Sequence, residues 1–166
     1  MKTILIARHA QAVGMGNYPS DFDRPLTDSG REDIKKVSTY LKNSNIIPEH
    51  IICSSAKRTS ETAELIDKHV NNNGKIDRRD DLYGASVSGI ISLIKTLNSA
   101  YSSIMIVGHN PTMTLTINKI SELTLDHLPT SGVATIQYNI SKWEDVLLYT
   151  GKILDLIYPN KIANKS

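Results

Sequence analysis

Apolar positions along the chain follow two alternating periods. Short β-branched runs give way to longer segments in which apolar residues recur three or four positions apart, the mark of a layered α/β domain. Strands are predicted at Lys2 to Ala7, Ile51-Ile52-Cys53, Lys75 to Arg78, Ile104 to Val107, Val133 to Tyr138 and Lys152 to Tyr158. Between them, Thr27 or Asp28 can cap a helix running to about Lys42, with Ile34, Val37 and Leu41 on one face. Ser54 or Ser55 can cap a second helix, whose inward stripe is Ala63, Ile66 and Val70 and whose end is Asn71-Asn72-Asn73-Gly74. A third spans Ser88 to Leu97, a fourth starts at Pro111 behind an Asn110 cap and continues through Met113, Ile117 and Ile120, and a short one holds Trp143. Two segments read as irregular: a long loop from Gly14 to Pro25 and a turn at Leu128 to Gly132. No composition shift divides the chain, so residues 1–158 are expected as a single domain and 159–166 as a polar, frayed tail.

Composition narrows the classes. The 166 residues, 40% apolar and 22% charged, suit one globular domain with a sizeable core. Nineteen Lys+Arg against seventeen Asp+Glu leave +2, which gives nucleic acid no support as a partner. The single cysteine, Cys53, excludes an internal disulfide framework, and the five scattered histidines show no ligand pairing for a metal. The apolar stretch Ile4 to Ala7 stops at Arg8, short of a signal-peptide core or a membrane span. A cytoplasmic protein without a membrane partner is expected.

Polar groups with no structural need to be there follow three of the strands: Arg8-His9, then Ser54-Ser55-Ala56-Lys57-Arg58, then Gly108-His109-Asn110. In a parallel sheet these exits share one edge, where open α/β sheets bind their ligands. Two arginines and two histidines converging there call for an anion, because the guanidinium fork grips phosphate oxygens bidentately. Arg58 also falls in the first turn of its helix, where free N–H groups favour negative charge. Other readings fail on count: Cys53 and Arg58 are separated by four residues where a cysteine phosphatase loop has five, and Gly14-x-Gly16 has Pro19 in place of a third glycine. Cys53 reads as a small buried hydrophobe.

Arg8-His9-Ala10, the stretch Ser54 to Thr62 and Gly108-His109-Asn110-Pro111 resemble, in order and spacing and across nearly the whole chain, the signature of the histidine phosphatase superfamily. The Asp21-Phe22-Asp23-Arg24-Pro25-Leu26-Thr27 loop, Pro129-Thr130-Ser131-Gly132 and the short length are similar to its SixA branch of small bacterial phosphohistidine phosphatases. The resemblance implies a phosphoglycerate mutase-like fold: three-layer α/β/α, a mostly parallel sheet with helices on both faces. It implies that His9 is the nucleophile, forming a phosphohistidine that water hydrolyses, with Arg8, Arg58 and His109 as the catalytic cradle and Asn110 beside them at the phosphate. A neutral imidazole is a good nucleophile near pH 7, and flanking cations disfavour its protonated form. Its other nitrogen needs an acceptor, such as a backbone carbonyl, to set the tautomer. A protonated His109 and the arginines would stabilise the transferring phosphoryl. The scheme requires neither metal nor cofactor.

The chain departs from the family at two places. Ala10 stands where glycine is frequent, and Gly84 stands where mutases and many phosphatases have an acidic residue. Without a general acid an alkoxide is a costly leaving group, whereas the imidazole of phosphohistidine leaves readily, so a phosphohistidine on a protein is the favoured substrate. Asp21, Asp23, Asp80 and Asp81 are the carboxylates that could substitute. A small-molecule phosphomonoesterase of the same superfamily and a non-catalytic module that binds phosphorylated ligands are the alternatives.

Overall fold

Six of the β-branched runs pair into one sheet. In the computed structural model, which describes residues 1–16, 18–70 and 75–165, the strands are β1 (Lys2–Arg8), β2 (His50–Ser54), β3 (Ile76–Arg79), β4 (Ser103–Gly108), β5 (Val133–Tyr138) and β6 (Lys152–Ile157). Their order is β3-β2-β4-β1-β5-β6. The first four in that order run parallel, and β5 runs antiparallel to both β1 and β6. The expected mostly parallel sheet is therefore present.

Side chains alternate across the pleat and so feed two cores. Ile4, Ile6, Ile52, Ile104 and Ile106 face α3 (Val87–Lys95) and α4 (Thr112–Ile120), while Leu5, Ala7, Ile51, Cys53, Met105 and Val107 face α1 (Asp28–Asn43) and α2 (Lys57–Val70). Because both faces are covered, the central strands read as continuous apolar runs, as parallel strands do. Ile4 to Ala7 and Ile104 to Val107 are fully buried. The layers are α/β/α.

Several helix boundaries differ from those the pattern predicts. Thr27 caps α1 as expected, its Oγ1 accepting from the Gly30 N–H at 2.9 Å. Neither Ser54 nor Ser55 caps α2, because Ser54 is still in β2 and the helix begins at Lys57. Pro111 precedes α4 instead of opening it, although the Asn110 side chain still accepts from the Thr114 N–H at 3.1 Å. The expected end of the second helix at Asn71 to Gly74 lies outside the described residues. Pro159–Ala163 form a short helix, α5, where fraying was expected, since Ile162 finds apolar partners in the core beneath α1. Among the described residues no helix is long and apolar enough to cross a membrane.

The loop before α1 returns to its own start. Val13 donates to Pro25 O and Thr27 to Gln11 O, both at 2.9 Å, and the Leu26 N–H donates to Glu61 on α2 at 2.8 Å. Gly30 is required at this crossing: a Cβ there would overlap the Gln11 carbonyl oxygen and approach Gln11 N at 3.0 Å. Alanine in an exposed helix would gain about 1 kcal/mol over glycine, but overlap with fixed backbone costs about 1–3 kcal/mol. Gly30→Ala is therefore expected to lower the urea unfolding midpoint, and a raised midpoint would contradict the close approach.

Candidate active site

The parallel register of β1 on β4 sets Arg8 opposite Gly108, so the residues after each strand, His9 and His109, stand side by side with ring centroids 5.5 Å apart. The pairing continues past the strand ends. The His9 N–H donates to Gly108 O, and the His9 carbonyl accepts from the Ser131 N–H, both at 3.1 Å. The next peptide is held as well: Ala10 N–H donates to Thr62 Oγ1 at 3.0 Å, and Ala10 O accepts from His9 Nδ1 at 2.7 Å. A carbonyl can only accept, so Nδ1 carries the ring proton and the Nε2 lone pair is left for chemistry. This is the backbone acceptor that a histidine nucleophile needs.

Arg58, in the first turn of α2, is only 6% exposed. Its two terminal nitrogens donate to Asp21 O at 2.8 Å and Asp21 Oδ2 at 2.9 Å. Asp21 sits in a single 3₁₀ turn, Asp21–Asp23, within the long loop. Its carboxylate also accepts from Arg24 at 2.8 and 3.0 Å and from the Tyr83 hydroxyl at 2.7 Å. Those hydrogen bonds, Tyr83's first and then the arginines', hold the Asp21 carboxyl well below the usual carboxylate range. On the other flank Arg8 donates to Leu128 O at 3.2 Å and shares a 3.0 Å hydrogen bond with His127 Nε2.

Together these groups line a cavity of about 340 Å³: Arg8, His9, Gln11, Ala12, Arg24, Arg58, His109, Asn110 and Thr130. Arg8 Nε, Arg58 Nε and His109 Nδ1 are buried without hydrogen-bond partners. A wall of three arginines and two imidazoles with, among the described residues, no carboxylate is suited to an anion. Burial first, then Arg58, Arg8 and Arg24, lower the His9 pKa to about 4 against the upward pull of the Ala10 carbonyl. Burial, then Arg58 and His9, lower that of His109 to about 3. Both rings are neutral at pH 7. In the ligand-free protein a half-buried imidazole beside guanidinium groups does not hold a proton at that pH, whereas the expected protonated His109 concerns a cradle loaded with a phosphoryl dianion, which would draw a proton to the ring.

The remaining expected residues separate. Asn110 lines the cavity, yet its amide already donates to Leu128 O at 2.9 Å and accepts twice from Thr114. Asp23 accepts from Ser20 and Asp81 from Arg79, each within its own loop, while Asp80 accepts from Ser55 and ties the end of β3 to the segment after β2. Gly84 lies on a smaller adjoining cavity of about 170 Å³ that shares His109 and Asn110 with the first. Its φ of +75° is one that L side chains rarely adopt, and a Cβ there would meet open space. Cys53 is buried in β2, where burial pushes its thiol up to about 11, far from a reactive thiolate. Among the described residues no three His, Cys, Asp or Glu side chains are grouped to hold a metal. Sequence reasoning missed Arg24, Tyr83 and His127 as parts of the site, and it placed Ser54 at the β2 exit but read it as a helix cap. Only Arg24 left a local signal, the three-residue spacing from Asp21 that a 3₁₀ turn brings face to face.

Fold and cradle define a phosphoglycerate mutase-like α/β protein built around an anion, and its likeness to the phosphoglycerate mutase of Bacillus anthracis (TM-score 0.67, 16% identity, 98% of this chain and 95% of that one) agrees in fold. Residues 4–86 match the histidine phosphatase superfamily (branch 1). The chain belongs to that superfamily, which makes it a phosphatase. A solved structure assigned as the phosphohistidine phosphatase SixA of Agrobacterium tumefaciens is similar over 95% of this chain and 98% of that one, with a TM-score of 0.81 and 25% identity. In sequence, the uncharacterized protein Rv1276c of Mycobacterium tuberculosis is 26% identical over 152 residues, covering 84% of this chain and 90% of the relative.

Neutral buried histidines have a measurable consequence. As pH falls below about 6.5 the unfolded chain takes up protons that folded His9 and His109 refuse until about pH 4 and 3. The unfolded state then binds more protons, so stability falls with falling pH by up to about 1.4 kcal/mol per pH unit for each ring. The His9 ring of the ligand-free protein, followed by NMR, is expected to titrate near pH 4. A midpoint at about 6.5 would contradict the burial.

Proposed function

We propose that the protein removes the phosphoryl group from phosphohistidine on a protein, through a phospho-His9 intermediate. His9 Nε2 attacks phosphorus as the P–N bond to the substrate imidazole breaks. The departing ring takes up a proton from solvent water at the nitrogen that had held phosphorus. Water then attacks phospho-His9, the second P–N bond breaks, inorganic phosphate leaves and the neutral ring is restored. Arg8 and Arg58 hold the three equatorial oxygens, whose charge is spread in the transition state, and His109 closes the cradle from β4's exit.

One observation carries the choice of substrate: among the described residues the cavity wall holds three arginines and two imidazoles but no carboxylate. Asp21, the nearest substitute for an acid, is engaged by Arg58, Arg24 and Tyr83 and held ionised, so it has no proton to give. An alkoxide needs that proton to leave and an imidazole needs it far less, which favours a phosphoramidate over an ester. Likeness to a protein assigned as SixA supports the same reading.

The test offers wild-type protein and His9→Ala a phosphorylated histidine-containing domain and, separately, an aryl phosphate. Fast clearance of the phosphohistidine, with acid-labile label on the protein and a loss of about 10³-fold or more in His9→Ala, is the expected result. Full activity in His9→Ala would overturn the mechanism. Cleavage of the ester alone would make the protein a phosphomonoesterase, and phosphate binding with no turnover of either would make it a binding module.

A further inference from the structure

Ser54 ends β2 fully buried, and its hydroxyl lies between two nitrogens: the Ala56 N–H, which donates to Oγ at 3.3 Å, and His109 Nε2 at 2.9 Å. The amide can only donate, so it occupies a lone pair of the hydroxyl and leaves the hydroxyl hydrogen free. Given to Nε2, that hydrogen completes the partners of Ser54 and makes Nε2 an acceptor, which puts the ring proton on Nδ1. The reverse arrangement, Nε2–H donating to Oγ, would strand the hydroxyl hydrogen and leave the Nδ1 lone pair unpaired as well, since among the described residues neither atom has another partner, whereas the first leaves only the Nδ1–H for a ligand to meet. Buried donors are rarely left unpaired.

We propose that Ser54 is a positioning residue that locks His109 in its Nδ1–H tautomer, so that this ring meets the phosphoryl group as a neutral donor. Nδ1 is buried and partnerless, and the ring lines the cavity. For an anionic oxygen brought against that nitrogen, a lone pair would repel it, whereas an N–H would hydrogen-bond to it. Other groups that act on the ring are Arg58, His9, Asp21 and Arg24, with the Tyr83 ring packed edge-on at 5.5 Å. Burial first, then Arg58, His9 and Arg24 against Asp21, favour the uncharged imidazole, and none of these groups donates to Nε2. The two site histidines thus share one tautomer for opposite ends. In His9 the Nδ1–H is bound to Ala10 O so that Nε2 can attack, and in His109 Nε2 is bound to Ser54 so that Nδ1–H can donate. This inference rests on the reading that the cavity receives a phosphoryl group.

Long-range ¹H–¹⁵N correlation spectra of the ¹⁵N-labelled protein at about pH 7.5, without substrate, read the tautomer directly. In the wild type His109 is expected as Nδ1–H. In Ser54→Ala it should shift to Nε2–H or to an exchanging mixture while His9 keeps its pattern, and binding of inorganic phosphate should weaken about tenfold. Wild-type His109 in the Nε2–H form, or an unchanged Nδ1–H ring in Ser54→Ala, would overturn the proposal. If the alanine variant does not fold, Ser54→Cys, whose thiol is a weak donor, is read in the same way. Because no turnover is involved, a protein that gives the expected spectra yet clears no phosphohistidine would refute the substrate reading and support this one.

Discussion

The site depends on the parallel pairing of β1 with β4. Both strands are buried on both faces, so a slip of one residue would send Ile4 and Ile6 into the opposite core, and the register is strongly specified. With Arg8 locked opposite Gly108, the first residue beyond each strand falls at one level, and two histidines far apart in the chain become neighbours. The loops then inherit the rigidity of the core. Hydrogen bonds to Gly108 O and Thr62 Oγ1 and from the Ser131 N–H hold the His9 and Ala10 backbone on three sides, which is what keeps the Ala10 carbonyl in place for the His9 ring.

Electrostatics at this edge follow from an imbalance. Arg8, Arg24 and Arg58 surround two imidazoles, and Asp21 is the carboxylate that answers them, bound to Arg58 but outside the cavity lining. Its position fixes the guanidinium without cancelling the field inside. Burial and the residual positive field together favour the neutral form of both rings in the ligand-free protein, the state that the proposed roles of nucleophile and donor require. A bound phosphoryl dianion would complete the charge balance that the protein alone leaves open.

Much of the fold and of the site is legible in the order of residues. β1, β2 and β4 announce themselves as apolar runs, and Arg8, His9, Arg58 and His109 each lie within a few residues of a strand end, where the topology of parallel sheets places ligands. Contacts that cross the fold leave no such trace: Arg58 with Asp21, 37 residues apart, Tyr83 with Asp21, 62 apart, Ser54 with His109, 55 apart, and Arg8 with His127, 119 apart. Ser54 reads as a helix cap because a serine ahead of an apolar-periodic segment usually is one. Its hydroxyl is instead engaged by a ring that no local pattern could bring near it.

The sequence by itself determined the layers, the strand exits and the chemical groups delivered there, because periodicity and local motifs are properties of neighbours along the chain. Protonation and tautomer were decided only by the tertiary structure. Asp21 became an anchor instead of an acid when the loop folded back onto Arg58, and His109 became a neutral ring when β2 and β4 enclosed it. Burial and long-range hydrogen bonds set the state of an ionisable group, and both exist only once the chain has closed on itself.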